Sequence, residues 1–293
     1  MAKPILVTGA GGLLGDALVR LLADRGDAVH ALVHRTRPDF PASVTVHHVD
    51  LARAPLDLPR VEPECIFHLA QSPHYTSFPQ GANDVFMVNT WATQALLDFA
   101  ASRNCSRFVL ASSGGVYAPS PSPVCEDGQL ASAWTQNHYV ATKLAAETLA
   151  QAYRDKLAVS ILRVFFCYGS RQRDTMLIPR LINSVRDGKP IHLQGPSGLS
   201  LNPVHVDDAA EAFAATRSAV GHQTVNVAGP QAIDLRTLGG VIGECVGRVP
   251  SFEERPGPSP HLIADISKMQ AELAPPRLGI AEGLAEVIQN TPQ

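Results

Sequence analysis

Residues 4–15 read Pro-Ile-Leu-Val-Thr-Gly-Ala-Gly-Gly-Leu-Leu-Gly, a short apolar run that breaks into glycines, and the next eight, Asp16-Ala-Leu-Val-Arg-Leu-Leu-Ala23, follow a helical pattern. Strand, glycine turn and helix in that order form a dinucleotide-binding arrangement and commit the start of the chain to a β-α-β unit. Gly9 permits the tight turn, Gly12 lets the backbone approach a pyrophosphate, and Gly15 lets the helix pack closely on the strand. The helix start at Leu13 and Leu14 turns unpaired N–H groups toward phosphate charge.

A second pattern lies far downstream, where Tyr139 and Lys143 stand four residues apart in a helical run and therefore share one face. A free phenol titrates near about 10, too high for proton transfer at neutral pH, and an adjacent ammonium lowers it by stabilising the phenolate. The spacing thus predicts a tyrosine acid or base assisted by a lysine.

Between and around these patterns, apolar runs at 28–33, 44–49, 65–69, 108–111 and 159–166 read as strands, and 82–101 and 135–153 as long crossover helices. Such alternation predicts an α/β fold, a Rossmann-type doubly wound parallel sheet over residues 1–170. Residues 171–293 are looser: a helix over 174–186, a short strand over 189–193, and loops with scattered prolines predict mainly a smaller C-terminal substrate-binding lobe, with some segments returning to the first domain. Asp208-Ala-Ala-Glu211 fits a capping box at a helix start, a structural role for both acids.

Charge and cysteines restrict the setting. A formal net charge of −3 gives no basic footprint for nucleic acid, and no apolar stretch reaches a membrane span. The chain enters its first strand without a basic and apolar leader, so a cytoplasmic location is expected. Five widely spaced cysteines without a Cys-x-x-Cys pair fit reduced thiols, and the adjacent His47 and His48 should face opposite sides of a strand, so no metal site is expected.

With the glycine loop, the Ser112-Ser113-Gly-Gly-Val-Tyr117 turn and the helical Tyr139 and Lys143, the chain resembles the extended short-chain dehydrogenase/reductases, the NAD-dependent epimerase/dehydratase family. Further marks follow in the family's order: Asp50-Leu51, His68-Leu-Ala70, Val88-Asn89, Leu162-Arg163 with Tyr168-Gly169, and His205-Val-Asp-Asp208. The resemblance implies that Ser113 orients the reacting oxygen, Tyr139 passes the proton, Lys143 holds the nicotinamide ribose, and Asn89 supports the site. It implies that Asp50 approaches the adenine, that Leu51, Leu69, Ala70 and Ala111 join the cofactor-binding set, and that a homodimer packs through 82–101 and 135–153.

The second strand ends Val33-His-Arg-Thr-Arg37, with no acid for an adenosine ribose and with His34, Arg35 and Arg37 suited to a 2′-phosphate, so NADP is expected ahead of NAD. For substrate the sequence departs from the family: Phe166 replaces a common Asn, and Leu201 replaces an Arg that grips pyrophosphate. Arg171, Arg173, Arg180 and His192 are expected to overhang the site, and Gln71, His74 and Tyr75 to form a rim. Gly114 and Gly115 occupy the positions where dehydratases carry acids, which places dehydration behind epimerisation and reduction. Three readings remain: a nucleotide-sugar epimerase or keto-reductase first, then a reductase of a smaller, less polar carbonyl or alcohol, then a catalytically silent NADP-binding regulator.

Overall fold

The computed structural model describes residues 3–36, 38–132 and 136–290, so Arg37 and the expected helix start at Thr135 lie outside the described residues. The chain opens with β1 (Ile5–Thr8), α1 (Leu13–Asp24), β2 (Val29–Val33), β3 (Val44–His48) and β4 (Cys65–His68). Next come α2 (Ala82–Phe86), α3 (Ala92–Ser102), β5 (Arg107–Ser113), α4 (His138–Ala152) and β6 (Ala158–Val164). The second half runs α5 (Leu177–Asp187), β7 (Ile191–Gln194), β8 (Ser200–Leu201), α6 (Val206–Ala215), β9 (Gln223–Val227) and β10 (Ile233–Asp234). It closes with α7 (Leu235–Val246), β11 (Phe252–Arg255), β12 (His261–Leu262), α8 (Ser267–Glu272) and α9 (Ile280–Asn290).

Seven parallel strands form the main sheet in the order β3-β2-β1-β4-β5-β6-β9. The chain winds one way through β2 and β3 and the other way from β4 onward, so the strand ends of β1 and β4 border the crevice where such sheets bind ligands. Both faces are covered, which is why the central strands read as unbroken apolar runs. Leu18, Val19 and Leu22 of α1 pack with Ala209 and Phe213 of α6 on one face. Leu96, Leu97 and Ala100 of α3 pack with Ala146 and Ala150 of α4 on the other. Each fully buried Leu or Phe contributes about 1.5–3 kcal/mol. A separate apolar cluster joins α5, α7 and α9 through Leu181, Ile182, Leu238, Ile242 and Leu284, and forms the core of the smaller lobe.

Two local expectations are corrected, and one strand is added. The helix expected over 82–101 is interrupted by a π-helical turn at Met87–Trp91, which holds Asn89. The seventh strand, β9, comes from the looser half of the chain and covers the edge of β6, with Phe165 N–H donating to Val227 O at 2.9 Å. The cap of α6 is His205, whose Nδ1 accepts from Asp207 N–H at 3.4 Å. Asp208 instead accepts the N–H groups of Arg277 and Leu278 at 3.0 and 2.9 Å, and Glu211 pairs with Arg25 at 2.5 Å, so no capping box forms.

Candidate active site

The glycine loop is a cradle that side chains would fill. Gly9 has φ +68°, and a Cβ there would lie 2.7 Å from the Ala70 backbone; at Gly15 it would lie 2.1 Å from Gly9 O. Gly12 N–H donates to Gly9 O at 2.9 Å, and Gly12, as the N-cap of α1, has no side chain to satisfy the first-turn donors, which leaves them available to an anion. Leu13 and Leu14 are half-buried beside it. Gly11 was not singled out in the sequence, yet a Cβ there would lie 2.0 Å from Thr36 Oγ1, so the segment after β2 lies against the loop at this glycine.

His34, Arg35 and Thr36 at that strand end are exposed. Asp50, just past β3, receives Ala52 N–H at 3.0 Å and lies 3.1 Å from Arg53 Nε and 3.5 Å from His34 Nε2. Leu51 turns into the core, while Leu69 and Ala70 follow β4 into the crevice. Beneath them a continuous hydrogen-bonded chain fixes the β1 and β4 ends. Thr93 donates to Asn89 O at 2.7 Å and so accepts from His68 Nε2 at 3.0 Å; the other ring nitrogen takes the Thr8 hydroxyl at 2.7 Å, and Thr8 Oγ1 accepts Ala70 N–H at 3.3 Å. His68 is therefore neutral with its proton on Nε2, and burial pushes it down to about 3.

The end of β5 and the first turns of α4 supply the reactive groups. Ser113 caps the turn at Gly114–Val116 by accepting Gly115 N–H at 3.1 Å, which leaves its own hydroxyl proton to donate toward Tyr139 in the crevice. Asn137 caps α4, accepting Val140 N–H at 2.9 Å, and sets Tyr139 and Lys143 on the helix face toward β5. The Tyr139 hydroxyl donates to Gln71 Oε1 at 3.1 Å. Lys143 is buried, donates to Ala111 O at 3.0 Å, and holds its Nζ 5.9 Å from the Tyr139 ring centroid.

This geometry corrects the expected tuning. Burial pushes Tyr139 up to about 12; the Ser113 hydroxyl draws it down and Tyr75 adds to the rise. Burial also brings Lys143 down to about 8, against a smaller upward pull from Glu147. Without ligand, then, desolvation exceeds any help the lysine gives the phenol. Asn89 joins the support: its side-chain oxygen accepts Ser72 N–H at 3.2 Å and its amide donates to Thr142 Oγ1 at 3.1 Å, tying the loop that bears Gln71 to the helix turn that bears Lys143.

The expected substrate rim divides. Tyr75 packs against Tyr139 with ring centroids 5.4 Å apart and donates its hydroxyl to Met176 Sδ at 3.2 Å. His74 is exposed on the same loop. Phe166 holds φ +44°, a left-handed conformation unusual for a bulky residue, and packs between the lobe cluster and the residues under Tyr139. Arg171 leaves the rim: it pairs with Asp16 of α1 at 3.1 Å and lines a groove of about 310 Å³ between α1 and α6. Arg180 is exposed on α5, and His192 faces Glu253 across β7 and β11 at 3.2 Å.

A buried network behind the reactive groups was not foreseen. Glu147, one turn after Lys143, receives Arg163 at 2.8 and 3.1 Å and the Ser112 hydroxyl at 2.5 Å. Arg163 also donates to Tyr117 Oη at 2.8 Å, and Tyr117 donates to Asn226 Oδ1 at 2.7 Å, so α4, β5, β6 and β9 are locked together. Its signal was present: an arginine inside the apolar β6 run requires a buried acid, and Glu147 continues the Tyr139 and Lys143 face.

A glycine-loop Rossmann sheet that brings Ser, Tyr and Lys to one crevice defines an extended short-chain dehydrogenase/reductase. The model of the NAD dependent epimerase/dehydratase family matches residues 5–228, and the chain belongs to that family of enzymes. It is similar to dTDP-glucose 4,6-dehydratase of Streptomyces griseus, 30% identical over 98% of this chain and 94% of the relative. It is similar to dTDP-4-dehydro-6-deoxy-D-allose reductase of a Streptomyces species, at 25% over 96% and 94%. Among solved structures it resembles MoeE5 in complex with UDP-glucuronic acid and NAD, with 31% identity, TM-score 0.84 and 98% of each chain covered.

Proposed function

We propose that the chain is a nucleotide-sugar epimerase or keto-reductase that works by hydride transfer with a nicotinamide cofactor. The observation that carries this reading is the meeting of Ser113, Tyr139 and Lys143 beside a glycine cradle whose close backbone contacts at Gly9 and Gly15 exclude side chains. Such a cradle fits a pyrophosphate, and the bound cofactor supplies the hydride acceptor or donor. Ser113 donates to the sugar oxygen and orients it; Tyr139 exchanges a proton with that oxygen; Lys143 holds the nicotinamide ribose and Asn89 keeps the two supporting segments in register. Leu13 and Leu14 line the phosphates, and Asp50, Leu69, Ala70 and Ala111 line the rest of the dinucleotide, with Leu51 packed in the core behind Asp50.

NADP is preferred, on the exposed His34 and Arg35 and the absence of an acid at this strand end. Residues 171–293 form mainly the substrate lobe, with α6 and β9 returning to the main sheet. Gly114 argues against dehydration: a side chain there would lie 2.6 Å from the Phe165 ring, so no acid fits at that position. Phe166 favours the smaller-carbonyl reading at the substrate end, whereas Leu201 is fully buried in the lobe core and lines no pocket, and relatives that act on nucleotide sugars weigh more. A homodimer through α2, α3 and α4 suits the exposed Phe78 and Phe86, and light scattering that finds a monomer would remove it.

The test is conversion of a panel of UDP-, dTDP- and GDP-sugars with NAD(H) or NADP(H), followed by chromatography and absorbance at 340 nm. An epimer without net cofactor reduction marks an epimerase; consumption of NADPH by a keto-sugar marks a reductase. Turnover unchanged by Tyr139→Phe would overturn the mechanism.

A further inference from the structure

Gln71 occupies an unusual place for a rim residue. Its side-chain oxygen is the partner of the Tyr139 hydroxyl at 3.1 Å, the atom from which the proton leaves. The loop behind it is held firmly: Ser72 N–H donates to Asn89 Oδ1 at 3.2 Å, the Ser72 hydroxyl donates to Asp84, and Tyr75 spans from the Tyr139 ring to Met176. Gln71 is thus an exposed amide on a fixed backbone, free to turn about its own last bond. An amide offers an acceptor on one side and two donors on the other, whereas a carboxylate only accepts and a thioether offers little of either.

We propose that Gln71 is a catalytic partner of Tyr139: its amide oxygen holds the phenol proton until substrate takes its place as acceptor, and, turned over, its N–H donates to Oη as the proton leaves and to the phenolate that remains. The inference rests on Tyr139 being the proton-transfer group. When Tyr139 acts as acid, its O–H bond breaks and the proton passes to the substrate carbonyl oxygen, while the carbonyl carbon takes the hydride that a reduced nicotinamide cofactor would give up from its C–H bond. The amide gains and loses no proton; it only exchanges the end that faces Tyr139 Oη.

The surroundings make this partner matter. Tyr75 on the same loop and Lys143 on α4 are the titratable groups that face the phenol, and Ser113 adds a hydroxyl from β5. Lys143 directs its Nζ to Ala111 O, and Glu147, one turn further along α4, is taken by Arg163 and Ser112. Among the described residues, Gln71 is the side chain that receives the Tyr139 proton donor in a hydrogen bond.

The test uses the full chain with 13Cζ-labelled tyrosine and saturating oxidised cofactor, and follows the Tyr139 resonance, assigned by its loss in Tyr139→Phe, upward from pH 7 until the phenolate shift is complete in the parent. Gln71→Met removes the donor that steadies the phenolate and Gln71→Glu substitutes an obligate acceptor. Both should move the titration to higher pH, the glutamate variant by about one unit or more and further than the methionine variant, while calorimetry keeps cofactor affinity within about twofold. A Tyr139 titration in Gln71→Met that superimposes on the parent overturns the proposal, as does a lower midpoint in Gln71→Glu. The assay needs no sugar nucleotide, so a wrong substrate class leaves it intact. Turnover unaffected by Tyr139→Phe would defeat the mechanism and this inference together.

Discussion

Replacing Lys143 with Met should make the protein more stable while it abolishes turnover. Burial brings the ammonium from 10.5 down to about 8. Keeping that charge folded at pH 7 therefore costs roughly 3 kcal/mol. Met fills a similar volume without a charge, but the 3.0 Å bond to Ala111 O is lost, which takes back about 1.5 kcal/mol. The net expectation is a gain of about 1.5 kcal/mol, read as a higher urea midpoint at unchanged slope in cofactor-free protein at pH 7. The pH dependence gives a second check with a fixed sign. Because the folded value is depressed, the unfolded chain holds more protons between about 8 and 10.5, so the parent should gain stability relative to the variant as pH rises through that window, and lose it again on return. A variant less stable than the parent at pH 7, combined with parallel stability curves from pH 8 to 10.5, would refute the argument that desolvation governs this lysine.

Further expectations concern the cradle, the cofactor end and the buried groups. Gly15→Ala should abolish cofactor binding by calorimetry, since its Cβ would lie 2.1 Å from Gly9 O and must open the turn. Arg35→Ala should weaken NADP(H) by roughly tenfold, the worth of one charge-assisted bond, and leave NAD(H) affinity unchanged; equal loss for both would remove the phosphate assignment. Glu147→Gln, which leaves Arg163 buried without its carboxylate, should cost about 3–5 kcal/mol in urea unfolding, and a cost under about 1 kcal/mol would mean that Tyr117 and the Glu126 carbonyl suffice for the guanidinium. His68, held near 3 in the fold against 6.5 unfolded, should withdraw about 2 kcal/mol of stability as pH falls from 6.5 to 5, and His68→Gln should lose that slope.

The parts of the fold legible in the sequence are those built from local pattern. The glycine loop, the strands β1 to β6 and the helix with Tyr139 and Lys143 each follow from periodicity over a few turns, because burial on both faces of a parallel sheet leaves apolar runs that nothing else explains. Longer-range features were hidden. The strand Gln223–Val227 carries two polar residues at buried positions, Gln223 and Asn226, and these are satisfied by Ser160 and by Val124 O, partners more than 60 residues away. Similarly, Asp208 looked like a cap because its local spacing allowed one, whereas its actual partners lie at 277 and 278. Arg171 was expected to overhang the site with the other basic residues of its half, but the ion pair with Asp16 draws it over α1.

The same limit explains the error about the tyrosine. Spacing correctly puts Tyr139 and Lys143 on one helix face, but a shared face fixes direction and not the distance between charge and oxygen, nor the water around them. Here one cause, desolvation, acts on both groups and makes each favour its neutral form: the phenol rises to about 12 and the ammonium falls to about 8. A site that holds its base protonated before ligand enters is protected from idle ionisation, and its readiness must come from what arrives and from the neutral dipoles already aimed at Tyr139 Oη. Ser113 and Gln71 are those dipoles, and neither belongs to the four-residue spacing that first drew attention to the site. For this chain the chemistry is therefore set as much by a loop amide 68 residues upstream of the tyrosine as by the lysine four residues downstream.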